Sequence, residues 1–259
     1  MSPERRNWLV GSGAFLLGLA AMAPASLLDA TLQRNLAPGA SFQSVGGTIW
    51  SGSALLKPAA AAATMPLSWR FDAGALLRLR LGVHLRVDGS ALNGSLRASA
   101  RGPQSIEIRD ADVTAELTQL QRWLPSSALA LMRASGALRI VVAGDDRVEI
   151  ASGEPMPVRG NFEIAVQQLL LPQWHPSVLG NYNAHVTASD SAMDVSVKTA
   201  SGMLTLEGAG KLRGTPVREI SFTGTAAPSR PGTELATLLS LLGRPGGDGR
   251  TRIDYRSPW

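Results

Sequence analysis

Cysteine is absent from this chain of 259 residues, and the absence removes several kinds of protein at once. Without a thiol there is no disulfide framework, no iron–sulfur cluster, no thiolate zinc site and no cysteine nucleophile. Aromatic residues make up only 5% of the sequence, so small aliphatic side chains have to supply the core. The 27 glycines and 16 prolines predict frequent turns, and frequent turns favour strands over long helices.

Motifs that carry catalysis are missing as well. The sequence contains no G-x-S-x-G elbow, no phosphate-binding G-x-x-x-x-G-K-[ST] loop, no H-E-x-x-H and no G-x-G-x-x-G that opens a helix. The three histidines, His84, His175 and His185, lie far apart and share no metal-ligand spacing, so we interpret them as strand or loop residues. The sequence therefore predicts no enzyme, no cofactor and no metal site.

Two acidic pairs are the remaining candidates for acid–base chemistry. Asp110 and Asp112 point to one face of a strand, and no further acid, base or nucleophile beside them completes a mechanism. We therefore interpret this pair as a solvated strand edge, where charges deter further pairing. Asp145 and Asp146 follow Gly144 and are typical of a hairpin turn.

Positive charge is in modest excess, and lysine is scarce. Lys and Arg number 25 against 20 for Asp and Glu, a net charge of +5, and lysine occurs only at positions 57, 198 and 211. The arginines are scattered through alternating stretches and form no basic block, so the sequence predicts no nucleic-acid partner.

A single uncharged stretch of membrane length follows a short basic start. Residues 8–28 are rich in Leu, Ala and Gly and come soon after Arg5 and Arg6. About 20 such residues cross a bilayer as a helix, with the arginines on the cytoplasmic side. We predict a cytoplasmic N-terminus at 1–7, a transmembrane anchor at 8–28, an amphipathic helical connector at 29–40 and a periplasmic β domain at 41–259. Small residues at 21–25 leave a cleaved signal peptide open as the alternative.

Period-two alternation dominates the chain after residue 40. Between residues 79 and 87, leucine and valine alternate with arginine, glycine and histidine, as expected of a strand with one buried and one wet face. Shorter stretches repeat the pattern at 96–99, 138–142, 162–166, 193–198, 204–206 and 219–222. Short links of turn residues favour antiparallel neighbours and exclude a parallel βαβ sheet. The sequence predicts a mainly β fold, a long curved antiparallel sheet, with two short helices at 117–124 and 234–242.

Tryptophan stands out in a chain with so few aromatics, and one tryptophan lies in an unusual setting. Residues 46–52 bracket Trp50 with glycines, which predicts two tight turns around a large ring, at the first strand and turn of the sheet. We interpret Trp50, Trp69, Trp123 and Trp174 as rings packed in a core of smaller side chains. If the ring of Trp50 is buried, Trp50→Ala is expected to cost about 3–5 kcal/mol of stability.

Five short blocks follow the apolar segment in a fixed order. They are 47–54 (GTIWSGSA), 66–71 (PLSWRF), 160–164 (GNFEI), 179–182 (LGNY) and 241–250 (LLGRPGGDGR). Together with an apolar segment that ends near Pro24 and Ala25, they make the chain resemble the family of protein N of the type II secretion system, the general secretion pathway of Gram-negative bacteria. An alanine-rich insert before Pro66 and the arginine-rich stretch at 78–86 depart from the family's pattern.

The resemblance implies a non-catalytic accessory component of the type II secretion system, single-pass in the cell inner membrane, that helps to export folded proteins from the periplasm across the outer membrane. The implied partners are the membrane and the inner-membrane components of that system. Structural roles are implied for the family-motif residues Gly47, Trp50, Gly52, Trp69, Gly180, Gly243 and Gly249. The extended sheet is also similar to the AsmA-like group of β proteins, which makes lipid binding or lipid transfer the alternative function.

Overall fold

Alternating apolar and polar residues form strands along almost all of the chain that the structure describes. The structure is a computed structural model, and it describes residues 22–27, 40–58, 64–76, 78–102, 105–123, 133–151, 157–173, 175–214, 219–230 and 234–258. The strands are β1 (Ser41–Gly47), β2 (Ser51–Lys57), β3 (Met65–Asp72), β4 (Leu81–Asp88), β5 (Leu92–Gly102), β6 (Ser105–Glu116), β7 (Ser135–Val142), β8 (Val148–Ala151), β9 (Val158–Leu170), β10 (Gly180–Asp190), β11 (Ala192–Gly202), β12 (Leu204–Arg213), β13 (Glu219–Pro228), β14 (Arg244–Pro245) and β15 (Thr251–Pro258). The helices among these residues are α1 (Ala73–Leu76), α2 (Leu117–Trp123) and α3 (Glu234–Leu242).

All fifteen strands belong to one antiparallel sheet, in the order β1-β2-β3-β4-β5-β6-β7-β9-β10-β11-β12-β13-β15-β14. The short strand β8 lies in line with β7, so that both fill the space between the long strands β6 and β9. Short turns join most neighbours, as at Asp88–Leu92 and Asp190–Ala192. The predicted antiparallel sheet and its two short helices are confirmed, while the curvature stays a prediction.

The pairing register separates the two faces of the sheet. One face, called here the apolar face, carries a row of large side chains that runs from strand to strand: Trp69, Leu85, Leu96, Phe162, Val186, Val195 and Phe222. The opposite or polar face carries arginine, histidine and carboxylate side chains from the alternate positions, as the period of two requires. The strands of this row, between β3 and β13, therefore have one apolar and one polar face.

The two ends of the strands differ in how the apolar face is covered. The distal end is defined as the end where Lys57 and Leu170 lie, and the proximal end as the end where Gly47, Asp72 and Leu81 lie. At the distal end α2 and α3 pack on the sheet, and their leucines join a buried cluster: Leu117, Ala134, Leu171, Leu179, Leu204, Ala226, Leu235 and Leu239. No described helix with buried side chains covers the proximal end, because α1 buries none.

The N-terminal predictions fall largely outside the described residues. Residues 1–21 and 28–39, which hold most of the predicted anchor and connector, lie there, as do Trp8, Trp174, Trp259 and the alanine run at 59–63. The predicted helix is wrong for residues 23–25, because Pro24 forms an isolated antiparallel bridge with Thr48. None of the helices that the structure describes is long and apolar enough to cross a membrane.

The alternating stretch at 79–87 was predicted to be a strand throughout, and its first residues are not. Strand β4 begins at Leu81, and Leu79 lies in a turn with a φ of 55°. The amides of Arg78 and Arg80 both donate to the carbonyl oxygen of Ala75 at 3.0 Å, which closes the turn directly after α1. The alternation of leucine and arginine therefore occurs here in a turn, at residues 78–80, as well as in a strand.

Candidate functional site

The largest group of family-motif residues meets at the proximal end, around the ring of Trp69. This ring is 7% exposed, and its indole N–H donates a hydrogen bond of 3.1 Å to the carbonyl oxygen of Ile49. A Cβ at Gly52 would collide with the ring and would lie 2.6 Å from the carbonyl oxygen of Gly46. Only glycine leaves room there, so the second glycine of the GTIWSG block is required by the tryptophan that lies opposite it on the neighbouring strand β3.

Trp50 is placed differently from Trp69. Its ring is only partly buried, and it meets Phe71 edge to face with 5.9 Å between the ring centroids. The premise that Trp50 is buried in the sheet is wrong, because the turn after β1 places this ring beside the core rather than in it. Gly47, the first glycine of the block, has a φ of 88°, which glycine adopts without strain.

The same turn holds residues 22–27 against the sheet. The amide of Ala25 donates to the carbonyl oxygen of Gly47 at 3.0 Å, and the amide of Ile49 donates to the carbonyl oxygen of Ala23 at 2.9 Å. Ala25 is fully buried and packs in one cluster with Ala54 and Trp69. The GTIWSG block thus joins the incoming N-terminal segment to the first strands.

The remaining family-motif glycines lie far from Trp69, at the distal end. Gly180 begins β10 and is paired with Gly202 of β11, in close approach of the two backbones. Gly243 follows α3, where its amide donates to Leu239 at 3.1 Å, and Gly249 lies in the turn between β14 and β15 with a φ of 75°. The structure therefore divides the seven residues between two ends of the sheet, and it assembles no single site from them.

The acidic pair Asp110 and Asp112 is engaged in ion pairs across the sheet. Asp110 accepts from Arg97 of β5 at 3.1 Å, and Asp112 accepts from Arg139 of β7 at 2.6 and 2.7 Å. The interpretation as a strand edge is wrong, since β6 pairs with strands on both sides. The hydrogen bonds from Arg139 lower the pKa of Asp112, so this carboxylate stays ionised and is unsuited to serve as a general acid.

Ion pairs continue along the polar face. Arg159 of β9 donates to Asp190 at 2.6 and 2.8 Å, and these hydrogen bonds lower the pKa of the Asp190 carboxyl. Lys211 of β12 lies 3.0 Å from Asp194 of β11. Exposed pairs of this kind contribute little stability each, so we interpret them as cross-strand pairs that favour the observed register.

The histidines and the acidic turn are also accounted for. His84 accepts from Arg97 at 3.2 Å and His175 accepts from the amide of Ser177 at 3.1 Å, while His185 lies exposed on β10. Residues 145–146 form the turn between β7 and β8, as predicted. Within the described part of the chain, no group of three or more metal-ligating side chains is close enough to hold an ion.

One buried ionisable group lies on the apolar face. Tyr182 is 6% exposed, and its hydroxyl donates to the carbonyl oxygen of Leu204 at 3.0 Å. Burial raises the pKa of Tyr182 to about 12. The hydroxyl therefore remains protonated and links β10 to the start of β12, next to the glycine pair of β10 and β11.

The structure defines a class of protein: a large antiparallel sheet with an extended apolar face and a charged opposite face, and with no cluster of three or more metal-ligating side chains among the described residues. The model of one protein family, described as type II secretion system (T2SS), protein N, matches residues 38–254. The match covers nearly all of the sheet, and the chain belongs to this family. No curated protein and no solved structure matches the chain.

One surface was missed by the sequence analysis. Leu76, Leu79 and Leu81 are exposed around the turn that joins α1 to β4. In the sequence, the alternation of leucine with Arg78 and Arg80 is typical of a strand. The signal that could have indicated this turn is Gly74, followed by a leucine and arginine run that ends at Gly82.

Proposed function

We propose that this component of the type II secretion system is a non-catalytic accessory subunit of the inner membrane. Its sheet lies in the periplasm and helps to export folded proteins across the outer membrane by contacting inner-membrane subunits of the machine. The observation that carries the proposal is the family match over residues 38–254, which coincides with the sheet from β1 to β15. A scaffold role fits a sheet whose polar face carries cross-strand ion pairs such as Arg97–Asp110, Arg139–Asp112 and Arg159–Asp190.

Deletion of the gene tests this proposal. Secretion of the exoproteins is expected to fall, with the folded proteins retained in the periplasm, and the full chain is expected to restore it. Complementation with Trp69→Ala should fail, because the cluster around that ring holds the first strands together. Arg86→Gln is the matched control, since the side chain of Arg86 is 69% exposed and forms an ion pair with Asp88 on the same strand. Unchanged secretion and unchanged machine assembly in the deletion strain would count against the proposal.

A lipid-binding function is the second candidate, and a specific observation favours it. The apolar face is closed at the distal end by α2 and α3, whereas Leu81 and Ile106 at the proximal end are 54% and 49% exposed. An apolar surface that is open at one end can admit an acyl chain, whereas a fully packed protein interior cannot.

Lipid binding has its own test. Cells fed a photoactivatable fatty acid are expected to give crosslinks on peptides from the apolar face near Leu81 and Ile106. Peptides whose side chains lie on the polar face, such as those of Arg97 and Arg139, provide the internal comparison. Crosslinks that are absent, or evenly spread over both faces, contradict this function without bearing on secretion.

A further inference from the structure

Exposed apolar side chains collect at the proximal end of the sheet. Among the described residues the exposed large hydrophobic side chains at this end are Met22, Leu27, Leu76, Leu79, Leu81 and Ile106. The two others are Val178, at the distal end, and Tyr255, on β15. Scattered apolar residues need no explanation on a protein surface, but a group of them at one end of a sheet indicates contact with an apolar partner.

Leu79 is the most exposed of this group and is held in a strained conformation. Its side chain is 90% exposed and its φ is 55°, in the left-handed region where glycine and asparagine are favoured. A hydrogen bond of 3.0 Å from its amide to the carbonyl oxygen of Leu76 helps to fix the turn. A leucine held there at a cost in stability, with its side chain in solvent, is typical of a contact residue.

Arginines flank these leucines. Arg78 has no side-chain partner within the described part of the chain, while Arg80 lies 3.7 Å from Glu107. Behind the turn is an open cleft of about 660 Å³ on the polar face. Its basic lining residues are Arg78, Arg80, His84, Arg97 and Arg109, and its acidic ones are Asp72 and Asp110. Leucines that protrude between arginines are the pattern of a segment that lies in the interface of a bilayer carrying anionic lipid.

The partner that fits this surface is a membrane, because of where the chain enters the sheet. Residues 23–25 are hydrogen-bonded to Gly47 and Ile49 at the proximal end. They follow the uncharged stretch that begins at residue 8, so insertion of that stretch in the membrane brings this end of the sheet next to the bilayer. This step rests on the membrane placement in the proposed function.

We infer that the proximal rim, consisting of Met22, Leu27, Leu76, Leu79 and Leu81 with Arg78 and Arg80, docks on the surface of an anionic lipid bilayer. The leucines reach the boundary of the acyl chains, and the arginines bind headgroup phosphates. In this orientation the uncovered end of the apolar face, at Leu81 and Ile106, faces the bilayer.

Single-cysteine reporters test the inference, because the chain has no cysteine of its own. The full chain is reconstituted in vesicles of phosphatidylcholine and phosphatidylglycerol at about three to one, with an environment-sensitive fluorophore on Leu79→Cys. The matched control is Val178→Cys, which is 45% exposed at the distal end. A label on Leu16→Cys, in the predicted anchor, reports insertion through quenching by lipids that are brominated deep in their acyl chains. Lipids brominated near the headgroup are expected to quench the label at 79 and to leave the label at 178 unaffected.

Charge gives a second measurement. Arg78→Gln in the Leu79→Cys background is expected to lower the equilibrium constant for docking about fivefold, and vesicles of phosphatidylcholine alone should weaken docking further. Both changes act on the label at 79 and leave the label at 16 quenched. Equal quenching at 79 in anionic and neutral vesicles would remove the part of the inference that concerns arginine.

The remaining outcomes separate this inference from the proposed function. A label at 79 that stays in water, in a chain that is inserted and supports secretion, overturns the docking alone. A label at 79 that is protected only when other secretion subunits are present makes the rim a protein interface, which also overturns it. If the label at 79 is quenched but deletion of the gene leaves secretion unchanged, the docking is supported and the proposed function is contradicted. An unquenched label at 16 overturns both membrane statements.

Discussion

Replacing the two tryptophans at the proximal end should have unequal effects, and the inequality tests the account of this region. Trp69 is 7% exposed and makes a hydrogen bond of 3.1 Å, so Trp69→Ala loses a buried ring and leaves a cavity. Changes of this kind cost roughly 3–5 kcal/mol. Trp50 is only partly buried, and its ring lies edge to face against Phe71 with 5.9 Å between the ring centroids, so Trp50→Ala should cost about 2 kcal/mol.

Trp69→Phe separates the hydrogen bond from the ring. The benzyl ring still fills part of the space over Gly52, and the carbonyl oxygen of Ile49 loses its donor. The lost hydrogen bond costs about 1 kcal/mol, and the smaller ring adds a similar amount. The expected order of destabilisation is therefore Trp69→Ala, then Trp69→Phe and Trp50→Ala at comparable values.

Amide hydrogen exchange followed by mass spectrometry measures these effects where they arise. The opening free energy of amides in β2, β3 and β4 should fall by the stated amounts, because stability differs from region to region in a protein. Peptides from β10–β12 provide the control and should be unchanged, since they share no contact with Trp69. If Trp50→Ala proves as costly as Trp69→Ala, or if β10–β12 open equally, the proposed packing around Trp69 is refuted.

Three further predictions concern single groups. Hydrogen bonds from Arg139 lower the pKa of Asp112, so the stability that this pair contributes is present above the unfolded pKa of about 3.9 and is lost as pH falls through the lower folded value. Acid unfolding of Asp112→Asn should therefore show a shallower pH dependence in that range. An acid-unfolding profile identical to that of the unchanged chain would contradict this prediction. Burial raises the pKa of Tyr182 to about 12, so the stability that the protonated hydroxyl contributes is fully present below pH 10 and is lost as pH rises towards 12. An absorbance titration of Tyr182→Phe should lack the tyrosine ionisation near pH 12. Leu79→Asn should stabilise the chain against heat by up to about 1 kcal/mol, because asparagine tolerates a φ of 55°; a loss of stability would show that the leucine packs against the protein.

The sequence predicted the parts of the fold that depend on short-range pattern. Alternation around Ile140 and Phe162 predicted β7 and β9, and helical spacing before Pro125 and Gly243 predicted α2 and α3. These elements follow from periods of two and 3.6 residues, which a single chain displays directly. Strand β15 was missed because its segment, TRIDYRSP, carries only Ile253 and Tyr255 as large apolar residues.

The parts that were missed depend on pairing between distant segments. Trp50 and Trp69 look equivalent in the sequence, and only the pairing of β2 with β3 places Gly52 under the ring of Trp69. The pairing of β6 with β5 and β7 likewise turned the presumed edge pair Asp110 and Asp112 into two separate ion pairs. Period and composition carry no information about which arginine stands opposite which carboxylate.

The order of the strands has a consequence for how the chain folds. Almost every strand pairs with the strands next to it in the sequence, and the departures are confined to β7, β8 and β9 and to the last two strands. Each hairpin closes a short loop, so the entropy lost at each step is small, and folding of such sheets is faster than of sheets joined by long crossovers. The nascent sheet can grow one hairpin at a time from its N-terminal side, and each newly added strand is the template for the next.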